Sequence, residues 1–346
     1  MNRQLVLSSS TNYLRLRHRL TLSQIVRLGW SEVSKEELLQ EKVQALRVLR
    51  NIQDVLDQLL ETGIFIVVLK GPALSQRIYQ DPTFRLSKDL DILVPNSEDV
   101  IQLRKILLNQ GWKPKDSYWV EEMPQQEWYM KLAMDTGLYD PKTNIELEIH
   151  WVLDQLIFDL DPRELRELIQ ENYELVDVLN RRVPVLSPEL ELIYLIGHGA
   201  RHAWFRLKWL VDIIHYPMDL VNVEKFEALL KRFRMDHLLI HLDELLRIYA
   251  GKGWDLTPIK PQKTRLAAYC KKQIEGPEPL PDLSFKRFLN LIYHYTLFLK
   301  TPDRVLKMLV RTIGIRPQDI SRVKLDAYWK YFFYRYYSLV KRKLIK

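Results

Sequence analysis

IFIVVLKGPALSQRIYQDPTFRLSKDLDILV, residues 64–94, carries two aspartates two positions apart inside an apolar run. Leu90, Ile92 and Val94 alternate with Asp89, Asp91 and Leu93, so this is a half-buried strand with both aspartates on the face opposite its apolar side. Like charges held that close resist joint ionisation, and a fold that keeps them side by side supplies a cation. Divalent magnesium is the natural candidate.

The residues before the aspartates read as strand, turn and helix. Ile64–Leu69 is a short apolar run, Lys70-Gly71-Pro72 is a turn, and ALSQRIY has helical spacing. Pro72 suits a first helical turn, and Gly71 lets a ligand approach the backbone. A helix start of this kind favours phosphate, with Lys70 and Arg85 as cationic partners. A third carboxylate comes from NIELEIHW, Asn144–Trp151, where Ile145, Leu147, Ile149 and Trp151 alternate with Glu146, Glu148 and His150. The preceding run, Trp128–Tyr139, is strand-like, and Asp140–Asn144 is turn chemistry, so a hairpin is expected there. Glu148 or Glu146 then completes the site.

Leu69-Lys70-Gly71, Arg85 with Ser87, Asp89-Leu90-Asp91-Ile92-Leu93-Val94 and Glu148-Ile149-His150-Trp151 together resemble the uncharacterised bacterial nucleotidyltransferase-like family of the polymerase-β superfamily. The segment His198–Asp212, HGARHAWFRLKWLVD, is similar to that family's helical signature, and the resemblance covers roughly residues 40–300. It implies a metal-dependent nucleotidyltransferase fold with Asp89, Asp91 and Glu148 as the carboxylate triad. The chain departs from the wider superfamily in having Lys70-Gly71 where Gly-Ser is usual and a longer gap from Gly71 to Asp89.

With 346 residues the chain can bury a sizeable core, and 47% hydrophobic with 28% charged residues is a globular composition. Cys270 is the single cysteine, which excludes an internal disulfide framework and a cysteine-rich zinc site and leads us to expect a cytoplasmic protein. No apolar run approaches the roughly 18–20 residues that span a bilayer, and no secretory signal opens the sequence. Residues 1–31 hold Arg3, Arg15, Arg17, Arg19 and Arg27 with serines and no acidic residue, a transit-peptide-like composition whose plainer reading is a frayed start and a short packing helix.

Along the chain, Ser34–Gly63 reads as a capped helix and SEDVIQLRKILLNQG, residues 97–111, as another, with a strand expected over Trp112–Val120. From Asp161 onward strand signals nearly vanish and helical periodicity takes over, with 188–216 read as one helical stretch. The expected class is α+β: a small mixed sheet with helices packed on it, followed by an all-helical C-terminal domain. The expected units are an N-terminal helical segment (1–60), a nucleotidyltransferase-like core (61–155) and the helical domain (156–346).

His198 and His202, four apart, lie on one helix face, where they can bind a metal or simply be hydrogen bonded. Arg206, Lys208 and Asp212 form a charged patch, either solvated or, through Arg206, set on the nucleotide's phosphates. The net charge of +8 is concentrated at DAYWKYFFYRYYSLVKRKLIK, residues 326–346, which suits a docked helix with a basic fringe or an anionic partner, nucleic acid or membrane surface.

The expected reaction moves a nucleoside monophosphate from a nucleoside triphosphate, ATP among the candidates, to a hydroxyl acceptor. Asp89 and Asp91 would bridge two Mg2+ or Mn2+ ions, and Glu148 would bind the acceptor-side ion and help deprotonate the hydroxyl. Lys70, the Gly71 amide and Arg85 would hold the β- and γ-phosphates, while Ser87 binds a phosphate or shapes the turn. The alternatives are a non-catalytic nucleotide-binding regulatory module and a nucleic-acid-binding protein that uses the basic termini.

Overall fold

A computed structural model describes residues 10–85, 87, 89–115, 118–278 and 285–344, with backbone alone for 285–287 and 339–344. The aspartate strand stands near the middle of a mixed seven-stranded sheet. The strands are β1 (Val67–Val68), β2 (Asp89–Leu93), β3 (Lys113–Pro114), β4 (Asp135–Asp140), β5 (Ile145–His150), β6 (Tyr173–Val178) and β7 (Arg181–Leu186), in the order β3-β4-β5-β2-β1-β7-β6. β2 runs antiparallel to β1 and parallel to β5, and β4 and β5 form the expected hairpin. With the helices around it this is the expected α+β class.

Alternation along the strands sorts side chains to two cores. On one face Leu90, Ile92, Leu147 and Ile149 pack with Ile52, Val55, Leu56 and Leu59 of helix Lys35–Glu61 and with Val100, Leu103 and Leu107 of helix Ser97–Asn109. The long helix starts where Ser34 and Glu37 form a reciprocal capping box, a device of about 1 kcal/mol. On the other face Val67, Leu69 and Leu93 meet the helices Pro188–Arg201 and Leu207–Ile214. Asp89, Asp91, Glu146, Glu148 and His150 share this second face by their period of two, so the carboxylates look toward the helical layer.

Several expectations are corrected. Residues 125–132 form a helix, Gln125–Leu132, so the strand that pairs with β5 begins only at Asp135. Among the described residues of the strand expected over Trp112–Val120, only Lys113 and Pro114, β3 at the sheet edge, are extended strand. Residues 188–216 are two helices, separated where Ala203 and Trp204 take positive φ. Beyond Asp161, where helices alone were expected, the hairpin β6–β7 adds two strands to the same sheet, with Val185 opposite Val68. The sheet therefore draws on residues past 155.

At the N-terminus, helix Thr11–His18 is fixed by Arg17, whose guanidinium donates to the carbonyls of Phe205, Gln273 and Gly276. Arg3, part of the basic opening, lies outside the described residues. No helix among the described residues is long and apolar enough to cross a membrane.

Candidate functional site

β2 and β5 set the carboxylates in register. As parallel neighbours they place Asp89 opposite Glu146 and Asp91 opposite Glu148, with His150 two residues beyond Glu148 on the same face. The two pairs differ in their surroundings. Asp89 and Glu146 line a cleft of about 690 Å³, whereas Asp91 is buried behind them.

Asp91, Glu146 and Glu148 each have a cation supplied by the chain. Lys115 ion-pairs with Glu146, and its Nζ is 3.2 Å from Glu148 Oε1. Burial works against the Asp91 carboxylate, but Lys70, His150 and Arg85 outweigh it and hold the group well below the usual carboxylate range. Glu148 moves the opposite way: burial and the neighbouring Asp91 charge raise it, against the pull of Lys115. Two facing carboxylates with opposite shifts suit different tasks, one fixed as an anion and one ready for a proton.

Lys70 follows β1 directly. Its ammonium lies 5.1 Å above the Tyr194 ring and 3.5 Å from each ring nitrogen of His198. Burial opposes its charge, and Tyr194 and Asp91 restore and raise it. Burial and Lys70 hold His198 neutral, and burial with Arg201 lowers His202 to about 3. The histidine pair thus packs against Lys70 and Trp209, and among the described residues it joins no group of three metal-ligating side chains. Gly71, at φ +71°, begins helix Pro72–Tyr79 in a conformation that favours glycine, and a β-carbon there would come within 3.7 Å of the Asp89 carbonyl.

Arg85 is deep in the protein, with Nε 3.0 Å from both oxygens of Asp212, which is fully enclosed. Burial opposes its charge and Asp212 more than restores it. Ser87 donates its hydroxyl to Asp89 Oδ1. Arg206, the residue before helix Leu207–Ile214, reaches the cleft and pairs with Glu278 at 2.6 Å.

Three further cations line the cleft, of which Lys208 belongs to the charged patch expected from the sequence while Arg15 and Arg19 belong to no candidate site there. Arg15 and Arg19 come from the N-terminal helix and its cap, and Lys208 from the helical layer. Burial and Arg85 lower the Lys208 amine to about 8, against Asp212 and Asp89. The basic run before residue 31 was visible, but nothing local to it signals contact with residues some 190 positions later.

Among the described residues one group can hold a metal: Asp91, Glu148 and His150, whose ligand atoms all lie within 4.8 Å of one another. His150 Nε2 is buried without a hydrogen-bond partner, 3.7 Å from Asp91 Oδ1 and 4.0 Å from Glu148 Oε2. Those separations exceed a hydrogen bond and are somewhat wider than the roughly 3.0–3.4 Å between neighbouring ligands of one ion at bonds of about 2.1 Å, so the three side chains would draw inward to share an ion. Two carboxylate oxygens and an imidazole nitrogen fit a divalent cation. Asp89, two residues before Asp91 on β2, stands beside this set rather than in it.

No curated protein matches the chain. Residues 13–250, which hold the candidate metal-binding and phosphate-binding residues, match the family described as an uncharacterised nucleotidyltransferase, and the chain belongs to that family.

Proposed function

We propose that the protein moves a nucleoside monophosphate from a nucleoside triphosphate to a hydroxyl acceptor in a metal-dependent reaction. The observation that carries this reading is Asp91 facing Glu148 across β2 and β5, with the unpartnered His150 nitrogen beside them. A divalent ion, Mg2+ or Mn2+, held by Asp91, Glu148 and His150 with Asp89 alongside, would neutralise charge on the attacking and leaving oxygens.

The chain's own groups do the rest. The acceptor oxygen attacks the α-phosphorus, the bond to the bridging oxygen breaks, and pyrophosphate leaves. Glu148, raised by burial and by Asp91, receives the acceptor's proton. Lys70 and the Gly71 amide hold the β- and γ-phosphates, and Arg206 and Lys208 approach them from the helical side. Ser87 orients Asp89 through its hydrogen bond. Arg85 acts from behind, through its pair with Asp212 and its field on Asp91.

Incubation with each α-labelled nucleoside triphosphate, Mg2+ or Mn2+ and a cell extract as acceptor pool tests this, with Asp89→Asn/Asp91→Asn as control. Label transferred by the wild type alone is the expected result, and the size of the labelled species gives the acceptor class. One observation favours the second reading, a non-catalytic nucleotide-binding module: Lys115 already bridges Glu146 and Glu148. Metal-dependent nucleotide binding with no transfer for any nucleotide would select that module.

A further inference from the structure

The last described helix, Lys330–Leu344, is fixed to the protein through residues four apart. Tyr331 is enclosed, its hydroxyl donating to the Val323 carbonyl, and the Arg335 guanidinium is held by Asp319 and by the carbonyls of Thr312 and Ile313. The outer side is aromatic. Trp329, just before the helix, is 62% exposed, Phe333 65% and Tyr337 64%, with Phe332 and Tyr336 also in solvent. The rings touch in sequence: Trp329 lies 5.9 Å from Phe333, Phe333 5.9 Å from Phe332, and Phe332 4.7 Å from Tyr336. Tyr336 donates to the Ile313 carbonyl at 3.2 Å, joining this face to the exposed stripe Leu306, Val310 and Ile313 of helix Pro302–Ile313. Exposed apolar side chains grouped on two helices joined in this way mark an interaction site.

We propose that this face binds the surface of an anionic lipid bilayer, the helix lying in the plane of the interface. Charge selects the occupant. After Asp326 the sequence has six basic residues and no acidic one. The two beside the aromatic face are neutralised, Lys330 by Asp326 and Arg335 by Asp319. The other four, Lys341, Arg342, Lys343 and Lys346, follow the aromatic face in sequence. Aromatic side chains followed by a basic cluster are the composition of an interfacial anchor, with rings among the headgroups and ammonium groups on anionic lipid. A single-stranded nucleic acid calls for unpaired cations along the stacking row, and this row has none among its described residues. Fifteen residues of helix extend about 22 Å, short of the roughly 30 Å hydrocarbon core, so the helix lies on the bilayer rather than through it.

The test is co-sedimentation of the full chain with vesicles of phosphatidylcholine alone or with about a third phosphatidylglycerol. Binding to the mixed vesicles is expected to exceed binding to the neutral ones by about tenfold or more and to weaken with salt. Trp329→Ser/Phe333→Ser should abolish it at low salt, while Lys341→Gln/Arg342→Gln/Lys343→Gln should remove the preference for anionic lipid. Thermal melts confirm that both variants are folded. Tyr337→Ser, at an equally exposed ring, provides a milder second variant. The proposal is overturned if neither vesicle binds, or if the aromatic variants bind like wild type. It is also overturned if lipid-free protein dimerises through these rings, or if the same substitutions instead abolish binding of a single-stranded oligonucleotide.

Discussion

Asp91 stands directly opposite Glu148 across a parallel strand pair, and the two carboxyl groups are shifted in opposite directions. Lys70 sits on the Asp91 side and Lys115 on the Glu148 side, so the pair is asymmetric before any ligand arrives. Asp91 remains an anion throughout the physiological range, which makes it the fixed negative pole of the site. Glu148 binds a proton more readily than an ordinary glutamate.

That asymmetry predicts unequal consequences for the candidate ligands. Asp91→Asn should lower turnover by about a thousandfold, because an ion's charge stabilisation amounts to several kcal/mol. His150→Gln should weaken Mn2+ binding, followed by electron paramagnetic resonance, more than Mg2+ binding, followed by calorimetry, since imidazole suits transition ions. Equal weakening of both ions would reduce His150 to a neighbour of Asp91.

The Arg85–Asp212 pair predicts a stability effect separate from catalysis. Both groups are buried, so Asp212→Asn leaves the guanidinium charge enclosed without its partner. A loss of about 3–5 kcal/mol is expected, read as a lower urea midpoint at unchanged slope. A loss below about 1 kcal/mol would show that water reaches Arg85.

How far the sequence discloses this arrangement varies by element. Alternation in Asp89–Val94 and Asn144–Trp151 is strict, so both strands and the common face of their acidic residues are readable, as is the capped helix after Ser34. The β6–β7 hairpin is concealed by its turn: Leu179 and Asn180 both take positive φ, and a leucine there hides what Asn-Gly would announce. Gln125–Leu132 mixes aromatic residues with polar ones and carries little period of either kind. Lys115 and the Arg15–Arg19 wall are illegible for a different reason. Their positions depend on contacts distant in sequence, which periodicity does not encode.

Lys208 predicts a pH dependence of anion binding. Burial and Arg85 lower its amine to about 8, so it is an ammonium below that pH and neutral above it. Affinity for a non-hydrolysable ATP analogue should therefore fall as pH rises through about 8. The fall should be about tenfold or more, because hydrogen bonds to charged groups contribute roughly 1.5–3 kcal/mol. In Lys208→Arg the guanidinium stays charged across the range and this dependence should flatten. An identical profile in wild type and variant would assign the titration to another group.

Gly199 gives physical content to the HGARHAW segment. After helix Pro188–Arg201 the chain doubles back, Ala203 and Trp204 at positive φ, and the fully buried Trp204 ring lies against Gly199. A β-carbon at Gly199 would come within 2.4–2.6 Å of three ring carbons. The ring has little freedom to yield, because its Nε1 donates to His241 Nε2 at 3.2 Å and its amide donates to the Gly199 carbonyl at 2.8 Å. In an unconstrained helix Gly→Ala gains about 1 kcal/mol, whereas overpacking a filled core loses roughly 1–3 kcal/mol. The second effect dominates here, and Gly199→Ala should lower the urea midpoint by the equivalent of about 1–2 kcal/mol. His198 precedes this glycine and touches Lys70, so the same substitution should also weaken nucleotide binding. A stabilised variant would mean that Trp204 does not pack on Gly199, and the placement of His198 beside Lys70 would then need another cause.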